Sequence, residues 1–338
     1  MKKCFRIALF IGLLLCFTCC LTGCGGADYD QNDIAAIHQL IDEHGWDIPK
    51  DDVKAWDFVT AWSNDNPRRV ESIALAKEQP VKGTLDVSAF TGLKFLWCVD
   101  NTMEEVILPE SIVDITCCYN NKLKVLDLSN VKNLESLSCH DNEQLTSIYY
   151  DSLPALKHMW CSDNQLTELN VKGLPNATSI DVASNRLTEL DDISSLPNLI
   201  SIDCSENQIT GLHLENLPEL ETVVCNDNPL LALQIDNTPK LRYVMVYDDV
   251  FVKCDSNEFE FVSLDYATRQ IVFQQPDVEE INRDKWVGIP EDAVIEGNLL
   301  KFTMEAPDGA NGITIENATV RKIDDATTVD FLTKESDQ

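Results

Sequence analysis

Between residues 93 and 253 the apolar residues fall into one recurring frame, with positions one, four and six apolar, position nine asparagine, and mostly polar residues between. The frame LxxLxCxxN begins at residues 93, 112, 134, 156, 177, 199, 220 and 241, at spacings of 19, 22, 22, 21, 22, 21 and 21. Position six reads Cys98, Cys117, Cys139, Cys161, Val182, Cys204, Cys225 and Val246. Position nine reads Asn101, Asn120, Asn142, Asn164, Asn185, Asn207, Asn228 and Asp249. Alternation of the kind seen in Ile202-Asp203-Cys204 is the period of a short strand with one buried face. A second apolar set follows each asparagine, as in Leu166, Leu169 and Val171, and Leu-Pro at 174, 196 and 217 marks where the chain turns back. A unit of about 21 residues cannot bury its own apolar face, so neighbours must stack and their strands pair into a parallel sheet.

These units resemble bacterial leucine-rich repeats of the short 21 to 22 residue type, close to internalin-like and IRREKO-type repeats, over about 160 residues. The resemblance implies an α/β leucine-rich repeat solenoid, mostly β, with a parallel sheet on its concave face, and recognition of a protein ligand. The position-nine asparagines are expected to point inward and bond backbone groups that the bend leaves unpaired.

The frame divides the chain into a cap at 33–92, repeats at 93–253 and a C-terminal segment at 254–338. From Asn32 to Trp46 the residues Ile34, Ile37, Leu40 and Ile41 recur at helical spacing, with Asp30 or Asn32 placed to cap the start. Trp56, Phe58 and Trp62 then lead to Arg69-Val70-Glu71-Ser72-Ile73, an order that resembles the N-terminal caps of leucine-rich repeat proteins. Beyond Cys254 the stretches 259–264, 270–274, 299–304 and 313–320 read as strands of a β cap or small β domain. Trp286 and the Pro290-Glu291-Asp292 turn there carry no motif.

Residues 1–23 have the form of a signal peptide, with Lys2, Lys3 and Arg6 before an uncharged apolar run from Ile7 to Leu21. The run is shorter than the roughly 20 residues of a bilayer span. Its ending, Leu21-Thr22-Gly23-Cys24, resembles a bacterial lipobox, which implies cleavage before Cys24, lipidation of that cysteine, a tether at 24–32 and a place in the bacterial cell envelope outside the cytoplasm. Cleavage removes three of the 26 basic residues and none of the 57 acidic ones, which takes the net charge from −31 to −34. Nucleic acid is therefore not an expected partner.

Six of the thirteen cysteines hold position six, where valine substitutes, so that position wants a small buried apolar group. Stacked strands bring such cysteines to about 4.8 Å with parallel Cβ vectors, a geometry that favours a ladder of free thiols over disulfides. Thiols in a line do not converge on a tetrahedral metal, and Cys117-Cys118 is an adjacent pair, not CxxC. No catalytic motif is present and no cofactor is implied; the five histidines are scattered, with His38, His44 and His213 expected in solvent. Asp277, Glu279 and Glu280 are the carboxylates a hidden wall hydrolase could use, a reading the abundance of acids everywhere disfavours.

Positions three, five and seven of each strand should face the concave side, which gives Phe95, Trp97, Asp114, His140, His158, Trp160, Asp181, Asp203, Tyr243, Met245 and Tyr247. Trp160, His158, Asp181, Asp203, His140, Trp97 and Tyr243 are the candidate ligand contacts, because large aromatics on a solvated sheet are favoured binding anchors. The competing expectation is that Phe95 and Trp97 pack under the N-terminal cap, and Tyr243 and Tyr247 under the C-terminal segment; Trp160, mid-array, escapes it. Position eight is acidic in six repeats, at Asp100, Asp141, Asp163, Glu206, Asp227 and Asp248, and reads as a solvated turn. Calcium between Asp141 and Asp163 is the alternative there. The expected function is a surface-anchored adhesion or recognition module binding a protein, or a glycan, on its concave face. The rival is a structural scaffold for envelope assembly acting through 254–338.

Overall fold

A computed structural model describes residues 28–120, 122–190 and 193–230, and beyond them the positions at 232–236, 238, 240–241, 243–247, 250–253, 260–265, 270–275, 278–283, 286–287, 293–303, 319–322, 328–330 and 332–333. Cys24, Asp277, the 290–292 turn and most of 313–320 lie outside the described residues.

The alternation at positions three to five yields one strand of three to five residues per repeat. His158–Trp160 pairs in parallel with Ser136–Ser138 on one side and Ser179–Asp181 on the other, and every neighbour keeps the same register, position three opposite position three. Stacking one strand per repeat builds a solenoid whose concave wall is a twelve-stranded sheet among the described residues. Position-four and position-six side chains enter a continuous core: Leu96, Ile115, Leu137, Met159, Ile180, Ile202 and Val223 are buried, as are all six position-six cysteines. Those cysteines are free thiols, and the Cys139 thiol donates to the Cys161 sulfur at 3.0 Å. The convex side is built from short parallel pairs, Lys82–Asp86 with Thr102–Ile107, Val125–Asp127 with Ser147–Tyr149 and Gly211–Glu215 with Ala232–Asp236, and from single 3-10 turns at Val171–Gly173 and Ile193–Ser195.

The sheet begins one repeat earlier than the frame. Val70–Leu75 pairs in parallel with Phe95–Cys98, Ser72 opposite Phe95, and buries Val70, Ile73 and Leu75 at positions one, four and six. Position nine of that repeat is Glu78, not asparagine, so the sequence pattern lost it. Ahead of it the Gln31–His44 helix is capped by the Asp30 carboxylate, which accepts from the N–H groups of Asn32 and Asp33. It ends on Gly45 at a φ of 66°, where a left-handed residue closes the helix most cheaply. The helix buries Ala36, Ile37, Leu40 and Ile41, with Trp46, Trp56 and Phe58, at the open end of the core, while Val59–Trp62 adds an antiparallel edge strand.

At the other end Val250–Lys253 pairs antiparallel with Tyr243–Tyr247 and closes the parallel run. The convex sheet continues from Ala232–Asp236 through Glu260–Asp265, Gln270–Gln274 and Leu299–Thr303, so the C-terminal segment is joined to the repeats by strand pairing.

Each position-nine asparagine bonds across two coils. Asn164 Nδ2 lies at 3.0, 2.8 and 3.2 Å from the carbonyl oxygens of Cys139, Cys161 and Ser162, and its Oδ1 accepts the Asn142 N–H at 3.0 Å. Asn142, Asn185, Asn207 and Asn228 repeat the donor pattern. Removing one side chain strands a buried N–H and the carbonyls it served. Asn164→Ala is expected to cost about 2–4 kcal/mol in urea unfolding, against less than about 0.5 kcal/mol for Lys157→Ala; equal costs would show that the ladder does not hold the coil.

Candidate binding face

Backbone turns set the edge of the concave wall. Asp100, Tyr119, Asp141, Asp163, Ser184, Glu206 and Asp227, the position-eight residues of the first seven repeats, all have φ between 52° and 59°. In that left-handed turn the N–H of the first six reaches the position-seven carbonyl of the next repeat, as Asp141 N does to Ser162 O at 3.1 Å and Glu206 N to Asn226 O at 2.9 Å. Aspartate is enriched in this backbone conformation, so the acidic row is first a product of turn geometry. Asp141 is bonded to the His140 ring, Nδ1 to Oδ2 at 2.7 Å. Asp141 and Asp163 line an open groove of about 320 Å³ with Tyr119 and Ser184. No group of three or more His, Cys, Asp or Glu side chains is placed to hold a metal ion among the described residues.

The wall itself has two aromatic stations. Phe95 and Trp97 are 43% and 55% exposed, not packed under the N-terminal cap, because that cap closes the core end-on and its strand extends the sheet beside them. Burial pushes the Asp114 carboxylate upward in pKa, against hydrogen bonding from Ser136 first and Trp97 after it. In mid-array Trp160 is 38% exposed and stacks on His158, ring centroids 5.4 Å apart and planes within 4°. Burial pulls the His158 pKa down, and Lys157 adds to it, which favours the neutral ring against the indole. Tyr243 and Tyr247 lie on the strand at 243–247, but their side chains are outside the described residues. His38 and His44 are half-buried rather than solvated: the first bonds the Lys50 carbonyl oxygen at 2.9 Å and the second stacks on Trp46.

Trp160 stands directly opposite Asp181, and Asp181 opposite Asp203. Small side chains flank the acids, Ser179 and Ser201 in the position-three row, Ala183 and Ser205 in the position-seven row. Burial raises the Asp181 pKa to about 6; the Ala183 N–H opposes this, Asp203 and Asp163 add to it, and the more distant His140 lowers it. Asp203 is raised by burial too, against bonds from the Ser205 hydroxyl and N–H at 2.6 and 3.0 Å. Neither carboxylate forms an ion pair with a lysine or arginine among the described residues.

Parallel one-strand coils of 21 to 22 residues, an inward asparagine ladder and a concave sheet together define the architecture. This is the leucine-rich repeat fold. No protein-family model matches the chain, and no curated protein matches it. Among solved structures with leucine-rich repeats, the functional domain of InlJ from Listeria monocytogenes, described as including a cysteine ladder, is 26% identical over 51% of this chain and 43% of its own, with a TM-score of 0.40. YopM from Yersinia enterocolitica is 22% identical over 52% of this chain and 42% of its own, TM-score 0.38. The matched part of this chain thus spans less than half of either structure.

The leucine-rich repeat wall pays for its acid pair in stability. Asp181 has a folded pKa above its ordinary value, so its favourable contribution exists below about pH 4 and is lost as pH rises through about 6. Asp181→Asn keeps an oxygen for the Ala183 N–H and is expected to stabilise the protein at pH 7 by about 1–3 kcal/mol. The gain should vanish at pH 4 in paired denaturation curves; an equal gain at both values would place the cause elsewhere.

Proposed function

We propose that this protein is a surface-anchored recognition module whose concave wall docks a basic segment of a partner protein at Trp160, Asp181 and Asp203. The observation that carries the reading is the pair of half-buried carboxylates, opposite one another and without a cationic partner among the described residues, beside an exposed indole. A lysine or arginine side chain supplies what the wall lacks: a charge for the carboxylates and, for the aromatic face, a cation or guanidinium plane. Net charge of −31 steers basic partners toward the protein and repels polyanions, which favours a protein segment over nucleic acid.

In this reading lipid on Cys24 holds the solenoid at the bacterial envelope, outside the cytoplasm, and residues 24–32 are the tether. Support comes from the basic start, the uncharged run and the Leu21-Thr22-Gly23-Cys24 ending. Labelled palmitate should enter the wild-type chain and be absent from Cys24→Ala; incorporation in the variant would refute the anchor.

Residues 25–338 carrying no lipid are then offered to arrays of cell-surface proteins and glycans. A protein hit is expected to weaken at least about tenfold, or 1.4 kcal/mol, with Trp160→Ala and with Asp203→Asn, and to weaken further in high salt. A glycan hit sensitive to Trp160→Ala but indifferent to salt would replace the basic partner with a sugar. A hit that survives both substitutions would move the site to 254–338 and favour the scaffold.

A further inference from the structure

The concave wall carries the same arrangement twice. Phe95 and Trp97 stand at positions three and five of one strand, and the next strand brings the half-buried Asp114 opposite Phe95. Three strands further on, His158 and Trp160 stand at positions three and five, and the strand after them brings the half-buried Asp181 opposite Trp160. Between the two indoles the position-five row holds Thr116 and Ser138, with Asp114 and Ser136 beside them at position three. These short side chains floor a trough with an exposed indole at each end. Asp114, like Asp181, forms no ion pair with a lysine or arginine among the described residues.

We propose that the two stations take two arginines, four residues apart, of one extended segment of the partner protein. The inference rests on the reading that the wall docks a basic segment, and it adds the form of that segment and a second contact at Phe95, Trp97 and Asp114. An arginine matches each station: its guanidinium plane stacks on the indole, and its fork of N–H donors serves the carboxylate one strand on. Lysine brings the charge without the plane or the fork.

The register sets the spacing. Trp97 stands opposite Thr116, Thr116 opposite Ser138 and Ser138 opposite Trp160, so the indoles lie in one row, three strand spacings apart. At about 4.8 Å for each spacing this is about 14 Å at the backbone, and the concave bend draws the tips of the side chains closer. An extended chain covers about 13–14 Å in four residues, and side chains four apart share a face because the period of a strand is two. A separation of three or five would turn the second arginine away from the wall. In an α-helix about 14 Å takes about nine residues at about 1.5 Å each, and the ninth residue on points to the opposite face. The two stations therefore select the extended form.

The probes are synthetic peptides in which two arginines are separated by one to six serine and threonine residues, beside a peptide with a single arginine, each titrated into the full chain by calorimetry. Affinity is expected to peak at three intervening residues, at least about tenfold above the peptides with two or four. Trp97→Ala should bring the peptide of three intervening residues down to the affinity of the single-arginine peptide, and change that of the single-arginine peptide by no more than about twofold. Lysine in place of both arginines should cost about tenfold. Trp97 is 55% exposed, so its replacement leaves the core packing intact; should the variant nonetheless fail to fold, the wild-type spacer series decides alone. Peptides that weaken with Trp160→Ala but ignore both spacer length and Trp97→Ala would overturn the paired stations and leave the basic-segment reading standing. A series in which no peptide binds, or in which binding ignores Trp97→Ala and Trp160→Ala alike, would overturn both.

Discussion

A chain that completes a coil in about 21 residues must bend sharply after each strand, and at the bend the carbonyl of position six is left with no backbone N–H of a neighbouring coil to receive it. The asparagine amide answers that constraint. Its two N–H groups serve carbonyls on its own coil and the coil before, and its oxygen takes an N–H from that earlier coil, as Asn164 does for Cys139, Cys161, Ser162 and Asn142. The coil is held by a polar ladder inside an apolar core, and such a network is favourable only when its members are satisfied. Asn120 is the weak member: its Oδ1 has no hydrogen-bond partner. The repeat before it is the 19-residue one, whose Thr102 N–H goes instead to the carbonyl of Val81, just ahead of the outer strand.

The same bend explains the acidic edge. Placing position nine inward forces position eight into the left-handed region in seven successive repeats, and aspartate tolerates that backbone better than most side chains. Residues that look like a charge pattern are selected one by one for a torsion angle. Tyr119 and Ser184 occupy the same conformation with no charge at all, which separates the geometric requirement from the electrostatic by-product.

What the sequence made legible follows from this division. The core, the register and the inward asparagines repeat with the period of the chain, so the pattern of apolar positions was enough to find them. The extra repeat at 70–75 was illegible because its ninth residue is Glu78, and a frame anchored on asparagine loses a coil whose end is made by a different device. Exposure of Phe95 and Trp97 was illegible because it depends on which way the cap closes the core, and nothing in the apolar spacing says whether Trp46, Trp56 and Phe58 pack on the end or over the wall.

Where the wall departs from structural economy also bears on function. A solenoid is stabilised by nearest-neighbour contacts, so an unfavourable feature is offset by the coils on either side of it. Asp181 and Asp203 sit on coils whose asparagines, Asn185 and Asn207, are fully engaged and whose neighbours Asn164 and Asn228 are engaged as well. The desolvated acids therefore lie where the ladder is strongest, away from the orphaned oxygen of Asn120 and from both ends. Serine, asparagine or threonine at those two positions would satisfy the sheet at lower cost, as Ser138 and Thr116 do in the same row. The acids are better explained by a cation arriving from outside than by anything the folded chain gains from them.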